Sequence, residues 1–362
     1  MKFIDALKKQ IRDLNSRRLE TRRKNIARTQ AISRSKISRP KSIKNIFVID
    51  ALKGLGDCIF VQDLITKFIH EHQAKVTVAS LPHTHPIYKQ RCDLVDLIDL
   101  ENPDIRETDY DIVIDLTYVG ISFWKERRVL LQKLKHNFLV TCAPYFKETS
   151  TYDLFIDISN ESHELLRLRK VLSEIYDTNL DDQAIMPCPL SLSTQNEVHD
   201  YISSQNISNK KILYFNTLAN TPDRCLSHKQ IECVLDWIEK QTEFHAFVYS
   251  NTPPLNHGKN FTVLPKKSFP FTMGLIKISD AVISPDTSIV HVGSTYQVPT
   301  LALFCNNSFD WFKKPMDQIW SPLAPKSIIV KEQCGTKFSS VSDISVTQLI
   351  SSIEAFVKIL KK

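Results

Sequence analysis

The sequence has few glycines and no closely paired cysteines. It contains 7 glycines and 17 prolines, which excludes collagen-like repeats and flexible glycine-rich linkers. Its eight cysteines are scattered without a Cys-x-x-Cys pair, so a zinc site or a redox dithiol has no support. No stretch approaches the roughly 18 apolar residues of a membrane span, and the charged amino end lacks the apolar core of a secretory signal. These absences predict a cytoplasmic protein with reduced thiols.

Positive charge is concentrated at the amino end of the chain. Residues 1–45 hold 15 Lys/Arg and three acidic residues, whereas the other 317 residues hold 32 Lys/Arg and 37 Asp/Glu. Apolar residues spaced three and four apart predict a basic amphipathic helix here: Ile4, Leu7, Ile11 and Leu14. The segment could adsorb to an anionic membrane surface, bind nucleic acid, or pack against the body or a partner. Phe3 is its one aromatic residue, which disfavours base stacking, and we predict no nucleic-acid partner.

Short apolar runs alternate with helical patterns in the rest of the chain. Continuous apolar runs of this length are typical of strands buried on both faces of a parallel sheet. The predicted strands are 46–49, 75–79, 110–116, 138–140, 211–216, 246–250, 261–264, 281–284 and 300–304. The predicted helices are 58–70, about 195–205, 227–242, 271–278, 291–296 and 345–362. This alternation predicts an α/β protein built from βαβ units.

The proline-containing stretch 186–195 interrupts the pattern, which then restarts. We therefore predict two Rossmann-like, doubly wound domains that face each other across a cleft. Ligands of such sheets bind outside the carboxyl ends of the strands. The predicted units are a basic N-terminal extension (1–45), a first domain (46–190), a second domain (191–345) and a closing helix (346–362).

Two glycines and an acid follow the first predicted strand. Gly54-Leu55-Gly56 is not a complete dinucleotide fingerprint, because Ile59 stands where the third glycine would be, and no Walker A lysine follows. Asp57 stands at the start of the next predicted helix. Two interpretations remain open: Asp57 is a helix N-cap, or it is a general base at the mouth of the cleft.

A second polar cluster follows the predicted strand 281–284. Free N–H groups and the positive end of the helix dipole favour phosphate at a helix start. A capped helix with a buried, hydrogen-bonded histidine is the equally weighted alternative. The candidate donor-binding residues in this stretch are Asp286, Thr287, Ser288, Ile289 and His291.

A third candidate is the loop after the predicted strand 211–216. It contains Asn220 and Arg224, and an arginine in this place can clamp a phosphate. A solvated loop arginine is the simpler alternative.

Together these residues resemble glycosyltransferase family 9, the lipopolysaccharide heptosyltransferase family, over about residues 46–345. The most specific stretch is 286–304, with the family's pattern at Asp286, Thr287, His291, Pro299, Leu303 and Phe304. The Gly-Asp turn at 46–60 and the basic residue Arg224 also match. The sequence departs from the family at Ser288, where a glycine is usual, at Cys225-Leu226, where Trp-Pro is common, and at Asn251, where an acid often follows the strand.

The resemblance implies a GT-B fold and an inverting transfer that needs no metal ion and no cofactor. Asp57 would take the proton of an acceptor hydroxyl. Arg224 would hold the departing diphosphate with Thr287 and Ser288, and His291 would bond the phosphate or support the loop. The expected donor is ADP-heptose, and the expected acceptor is a lipid-anchored lipopolysaccharide or lipooligosaccharide core.

Such an acceptor implies a cytoplasmic enzyme on the inner face of the inner membrane, which favours adsorption of residues 1–45 to that anionic surface. Charged residues of the first domain are weaker candidates for acceptor contacts, since surface charge explains them as well. They are His83, His85, Arg91, Arg127 and Arg128. Two alternatives stay open: transfer of another nucleotide sugar in surface-glycan synthesis, and a degenerate member that binds sugar nucleotide without turnover.

Overall fold

The computed structural model describes most of the chain beyond its basic amino end. The described residues are 42–52, 54–105, 108–116, 124–142, 152–158, 161–176, 185–205, 207, 209–251, 257–305, 308–309, 314–332 and 339–361. The predicted amphipathic helix of the N-terminal extension lies outside them.

The first half of the described chain forms a six-stranded parallel sheet in the order β3-β2-β1-β4-β5-β6. The apolar run Ile46–Ile49 lies at its centre and is fully buried. The strands are β1 (Asn45–Asp50), β2 (Lys75–Ser80), β3 (Asp96–Asp99), β4 (Ile112–Asp115), β5 (Leu139–Thr141) and β6 (Leu154–Phe155). The helices are α1 (Leu55–His70), α2 (His85–Tyr88), α3 (Trp124–Lys133) and α4 (Glu164–Tyr176).

The second half forms another six-stranded parallel sheet in the equivalent order, β9-β8-β7-β10-β11-β12. Its strands are β7 (Lys211–Asn216), β8 (Phe244–Tyr249), β9 (Phe261–Val263), β10 (Ala281–Pro285), β11 (Thr300–Phe304) and β12 (Ile328–Lys331). Its helices are α5 (Leu192–Ser203), α6 (His228–Glu239), α7 (Phe269–Lys277), α8 (Ser288–Thr295), α9 (Met316–Ile319) and α10 (Val346–Leu360). The prediction of two Rossmann-like sheets is confirmed.

Serine side chains begin four helices of the second half. Each hydroxyl accepts a hydrogen bond from the backbone N–H three residues later, which satisfies a donor that the helix itself cannot. These N-caps are Ser191 of α5, Ser227 of α6, Ser268 of α7 and Ser345 of α10. Local sequence therefore fixes where these helices begin.

Several predicted elements differ from the structure, among them the helix predicted from Cys58, which begins at Leu55. The strand predicted at 110–116 is broken at Asp111, whose carboxylate accepts hydrogen bonds from the N–H groups of Lys44 (2.8 Å) and Asn45 (2.9 Å). The helix predicted from His291 begins at Ser288. The helix predicted at 195–205 begins at Leu192. Strands β3, β6 and β12 and helices α2, α3, α4 and α9 were not predicted, because their runs are short or mixed with charged residues.

The two sheets are joined by close packing between helices. Helix α1 of the first sheet contacts helix α8 of the second, and the largest apolar core contains residues of both halves. Thr295 at the end of α8 is hydrogen-bonded to the connecting chain, through Met186 O (2.7 Å) and Cys188 N (2.8 Å). Helix α10 buries Leu349 and Phe356 against the second sheet. None of the described helices has the length and apolar character needed to span a bilayer.

Candidate active site

The predicted site residues lie where the strand order of each sheet reverses. Asp57 follows β1, which lies between β2 and β4, while Arg224 follows β7 and Asp286 follows β10, its neighbour in the second sheet. Ligands of open α/β sheets bind at this position. The structure therefore brings together three groups that are separated by up to 229 residues of sequence.

Gly56 is the point at which α1 meets α8. A Cβ atom at Gly56 would lie 2.5 Å from His291 Cδ2 and 3.5 Å from Ser288 Cα, so a side chain does not fit there. This close approach sets Asp57, the next residue, beside the start of α8. The need for glycine here comes from packing between the two sheets, and not from a phosphate-binding loop.

Asp57 is the third residue of α1 and is not its N-cap, so that interpretation is wrong. Gly54 occupies the N-cap position with an extended backbone and donates its N–H to Asp57 Oδ2 (3.0 Å). No other described group hydrogen-bonds Asp57, which leaves Oδ1 available. Most of the residue's surface is covered, but Oδ1 is not among the fully buried polar atoms, so a ligand can reach it.

Burial and neighbouring acids raise the pKa of Asp57 well above its ordinary value. Burial is the largest cause, followed by the negative charges of Glu164 and Asp50, and a smaller effect of Asp286. The hydrogen bond from Gly54 acts in the opposite direction. A carboxylate in this setting is a stronger base than one on the open surface, as expected for a general base.

Asp50 shapes the turn that leads to Asp57. It is fully buried, and it accepts hydrogen bonds from Tyr88 Oη (2.5 Å) and from the N–H of Leu52 (3.1 Å). Burial raises the pKa of Asp50 to about 6 against the effect of both hydrogen bonds. Sequence reasoning missed Asp50, although it is a polar residue that ends an apolar strand.

The start of α8 is held by side chains of two strands. Thr287 is the N-cap, and its Oγ1 accepts from Ile289 N–H (3.2 Å) and from Asn216 Nδ2 (3.3 Å). Asn216 also donates to Ser284 Oγ (3.0 Å). Ser288 is partly exposed, whereas the side chain of Ile289 is buried. Of these, Ser288 and the exposed part of Thr287 can meet a ligand.

Arg224 lies beside Asp286. Its Nη1 donates to the backbone oxygen of Asp286 (3.2 Å) and lies 3.4 Å from Oδ2, and its Nε donates to Thr221 Oγ1 (3.2 Å). Burial raises the pKa of Asp286 to about 6, and the charge of Arg224 opposes that rise. Arg224 Nη2 has no partner among the described residues, and the side chain keeps 23% exposure. Arg224 is therefore oriented and still accessible to an anion.

The loop that carries Arg224 is closed by a thiol. Cys225 Sγ accepts a hydrogen bond from the N–H of Ala219 (3.2 Å). Asn220, at the tip of this loop, is exposed, and no described group hydrogen-bonds it. The structure therefore groups Arg224 with Asp286 and leaves Asn220 outside that cluster.

His291 is buried in an aromatic environment. Its ring centroid lies 4.7 Å from that of Phe60 and 5.4 Å from that of Trp320. Burial, with a smaller effect of His163, lowers the pKa of His291 to about 3, so the ring is neutral at physiological pH. Its Nδ1 is buried without a hydrogen-bond partner among the described residues. The alternative of a fully hydrogen-bonded core histidine is therefore wrong.

Arg91 is an internal structural residue. It donates to Asp93 through Nε and Nη2 (both 2.8 Å), and Nη1 donates to Gln62 (3.1 Å) and Thr66 (2.8 Å). Its side chain is fully buried. Such a residue cannot reach an acceptor, and the structure does not support that prediction for Arg91.

The structure describes the other candidates for acceptor contacts only in part. Arg127 and Arg128 belong to α3, and their side chains lie outside the described residues. His83 is exposed in a short turn, and His85 is hydrogen-bonded to Ser80 O (3.1 Å).

Among the residues that the structure describes, no group of three or more His, Cys, Asp or Glu could hold a metal ion, and every cysteine is free.

Sequence reasoning missed five residues that build this site: Asp50, His163, Glu164, Asn216 and Trp320. None belongs to a local motif, and each is brought to the cleft by tertiary packing. Asp50 and Asn216 carried a usable signal, because a polar residue that ends a buried strand at the carboxyl edge of a sheet is a ligand-site candidate.

Comparisons with known proteins agree on one family. The sequence model of glycosyltransferase family 9 (heptosyltransferase) matches residues 103–345, which include Arg224 and 286–291 but not Asp57. A curated protein of Escherichia coli (strain K12), named "Putative lipopolysaccharide heptosyltransferase 4", is 24% identical over 350 residues, covering 91% of each chain.

Solved structures share the fold at low identity. A family 9 glycosyltransferase from Veillonella parvula DSM 2008 has a TM-score of 0.71 at 14% identity and covers 90% of this chain and 100% of its own. An E. coli heptosyltransferase solved with ADP has a TM-score of 0.64 at 12% identity and covers 87% of this chain and 99% of its own. Because the family model matches more than half of the sequence, the chain belongs to glycosyltransferase family 9, the heptosyltransferases, and is a glycosyltransferase.

Proposed function

We propose that this enzyme transfers a heptose from ADP-heptose to a lipopolysaccharide or lipooligosaccharide core, with inversion at the anomeric carbon and without a metal ion. The observation that carries the proposal is the position of Asp57, with Oδ1 available, beside the start of α8 and the Arg224–Asp286 pair. An E. coli heptosyltransferase of similar fold, solved with ADP-2-deoxy-2-fluoro heptose, supports the choice of donor.

Asp57 activates the acceptor in this proposal. Its Oδ1 takes the proton of one acceptor hydroxyl as that oxygen attacks the anomeric carbon. The new glycosidic bond forms while the bond from the anomeric carbon to the diphosphate oxygen breaks. Attack from the face opposite the leaving group gives inversion. The raised pKa of Asp57 suits this step, because a base whose pKa lies nearer the working pH accepts a proton more readily.

The departing diphosphate is stabilised by fixed positive charge. Arg224 is oriented by Asp286 and Thr221 and offers its free Nη2, and the start of α8 offers the positive end of its dipole. Both groups are in place before the reaction, so stabilising the leaving group needs little reorganisation. They would supply the charge that a metal ion supplies in other transferases.

The neutral His291 supports the donor site. Its ring packs against Phe60 and Trp320, and its Nδ1 is buried, but its Nε2 has no described hydrogen-bond partner and is the nitrogen that a ligand could reach. A hydrogen bond from a donor hydroxyl, or to a phosphate oxygen from the other tautomer, would satisfy that nitrogen. This is the role that we propose for His291 in binding.

The basic extension places the enzyme at its acceptor. Residues 1–45 carry 15 Lys/Arg, whereas the rest of the chain is mildly acidic. We propose that this segment adsorbs to the anionic inner face of the inner membrane, where each nearby basic residue contributes about 1 kcal/mol. Adsorption would bring a cytoplasmic enzyme close to a lipid-anchored acceptor.

A donor scan with the purified full-length chain tests the proposal. We expect transfer to a deacylated core acceptor with ADP-heptose, unchanged by EDTA, and little transfer with GDP- or UDP-sugars. NMR of the product should show the anomeric configuration opposite to that of the donor. Transfer from another nucleotide sugar alone would replace the proposed donor. Binding of donor without transfer or hydrolysis would identify a degenerate family member. Ser288 and Cys225 would then be the first residues to replace with the family's usual glycine and tryptophan.

A further inference from the structure

Four aromatic rings from both halves of the chain meet where α1 packs against α8. Phe60 of α1 and His163, just before α4, come from the first half, and His291 of α8 and Trp320, just after α9, come from the second. The ring centroid of Phe60 lies 5.4 Å from that of His163, 4.7 Å from that of His291 and 6.4 Å from that of Trp320. These four residues are called the ring cluster below. All are buried except Trp320, which is partly exposed.

His163 joins the two halves through a hydrogen bond from one ring nitrogen. Its Nδ1 accepts from the N–H of Leu165 (3.1 Å) and so satisfies a free donor at the start of α4. Because Nδ1 is an acceptor, the proton of the neutral ring lies on Nε2, which donates to Ser321 O (3.0 Å). Burial lowers the pKa of His163 to about 4, so the ring is neutral at physiological pH. Both nitrogens are therefore used, and one of the two bonds crosses between the halves.

The segment 320–323 receives this hydrogen bond and also contacts α8 on either side of it. The N–H of Leu323 donates to Ser294 Oγ of α8 (2.9 Å). At the other end of the segment, the ring centroid of Trp320 lies 5.4 Å from that of His291. The bond from His163 to Ser321 O thus holds the middle of a segment whose two ends touch α8. It ties the position of the Trp320 ring to the first half of the chain.

The orientation of the His291 ring depends on packing alone. Phe60 and Trp320 contact it, and a Cβ atom at Gly56 would lie 3.2 Å from its Nε2, so there is little free space on that side. None of the described residues hydrogen-bonds either nitrogen of the ring. A ring held only by its neighbours must follow them when they move, so a displaced Trp320 would change the orientation of His291.

We propose that His163 is a positioning residue, which orients His291 for donor binding through its hydrogen bond to Ser321 and the adjoining Trp320 ring. The inference rests on the proposed function, because it deepens the role that His291 has there in the donor site. His163 itself does not touch substrate, since it is buried and both of its ring nitrogens already have partners.

Two replacements of His163 separate the bond between the halves from the local bond to α4. Asparagine has an oxygen that can replace Nδ1 as the acceptor at the helix start, but it is too short to reach Ser321 O. Glutamine is long enough to donate to Ser321 O but does not keep the bond to Leu165. By isothermal titration, ADP affinity should fall about fivefold in His163→Asn, the size of one neutral hydrogen bond, and stay within about twofold of wild type in His163→Gln. Equal losses in the two variants would contradict the inference.

The NMR signals of the His291 ring give a readout that a general loss of stability does not move. They are measured in carbon–proton spectra of the full-length chain and assigned by their absence in His291→Ala. Because neighbouring aromatic rings displace these signals, they should shift in His163→Asn and stay close to wild type in His163→Gln.

Thr194→Val is the matched control for a lost hydrogen bond between the halves. Thr194 Oγ1 of α5 donates to Gln90 Oε1 of the first half (2.8 Å), and no described hydrogen bond or ring contact joins it to the ring cluster. This variant should keep the His291 signals and the ADP affinity of wild type. Changes as large as those of His163→Asn would show that any weakened contact between the halves has the same effect, and would overturn the inference.

The outcomes separate the inference from the proposed function. A wild type that binds ADP but transfers no heptose would defeat the proposed function, while the His163 variants still decide the inference. Unmoved His291 signals or unchanged ADP affinity in His163→Asn would overturn the inference alone. If His163→Asn does not fold, His163→Gln and Trp320→Leu decide: the first should match wild type, and the second should weaken ADP binding because it removes the ring beside His291. Either opposite result would overturn the inference.

Discussion

Replacing Gly56 with alanine tests whether the contact between α1 and α8 builds the active site. The new Cβ would lie 2.5 Å from His291 Cδ2 and 3.2 Å from Nε2, where carbon atoms ordinarily stay about 3.5–4.0 Å apart. The ring must therefore move by about 1 Å. It has little room to do so, because Phe60 and Trp320 pack against it at ring-centroid distances of 4.7 and 5.4 Å.

Two opposing effects set the size of the change. Alanine in place of glycine in a helix stabilises by about 0.5–1 kcal/mol. Forcing an extra carbon into a filled contact costs about 1–3 kcal/mol. The cost is expected to dominate here, because the clashing atom belongs to a confined ring and not to the end of a flexible side chain. We predict a net loss of roughly 0.5–2 kcal/mol in Gly56→Ala.

Urea unfolding of Gly56→Ala, His291→Ala and the double variant measures this directly. With the ring removed, Gly56→Ala should be neutral or stabilising, so the two substitutions should be strongly non-additive. The same displacement separates Asp57 from the start of α8, so kcat/KM should fall more than stability alone explains. If Gly56→Ala alone were as stable and as active as wild type, the reasoning would be refuted, since the contact between α1 and α8 would then relax freely.

Three further outcomes follow from charge. Arg224→Ala should weaken ADP binding about tenfold or more by isothermal titration, and Arg224→Lys should recover part of that loss; unchanged affinity would make Arg224 a solvated residue. Because burial raises the pKa of Asp50 to about 6, wild type should lose more stability than Asp50→Asn as the pH rises from about 4 to 7. The unfolding free energy of wild type minus that of Asp50→Asn should fall by up to about 3 kcal/mol over that range, and a constant difference would contradict the shift. Deleting residues 1–40 should spare transfer to a soluble acceptor but reduce activity on acceptor in anionic vesicles, with full-length binding fading in 1 M salt; equal vesicle binding by both forms would argue against membrane adsorption.

Much of the fold could be predicted from apolar runs alone. The predicted strands 211–216 and 300–304 have the observed bounds, because an uninterrupted apolar run in a parallel sheet leaves little choice of register. Strand β12 was missed because its apolar run, 328–330, is short; in the structure it lies half exposed at the sheet's edge. The domain limits at 190 and 345 stay predictions.

The site could be predicted only where it has a local motif. Asp57, Arg224 and Asp286 follow strands in recognisable turns, so their sequence context pointed to them. Glu164 lies 107 residues beyond Asp57 and begins an ordinary amphipathic helix, so only tertiary packing reveals its effect. The same holds for the burial of Arg91, whose partners Gln62 and Thr66 lie on another helix.

The most direct test of the account is the rate of heptose transfer by Asp57→Asn, measured with ADP-heptose and a deacylated core acceptor. Asparagine can still accept the hydrogen bond from Gly54 but cannot take the acceptor's proton. Turnover should fall by about two to four orders of magnitude, with ADP affinity changed by less than about twofold. Asp63→Asn, which removes another buried acid of α1 that pairs with Arg169 (3.1 Å), should keep most of its activity. If Asp57→Asn also transferred heptose at close to the wild-type rate, Asp57 would not be the base and the mechanism proposed for this cleft would be wrong.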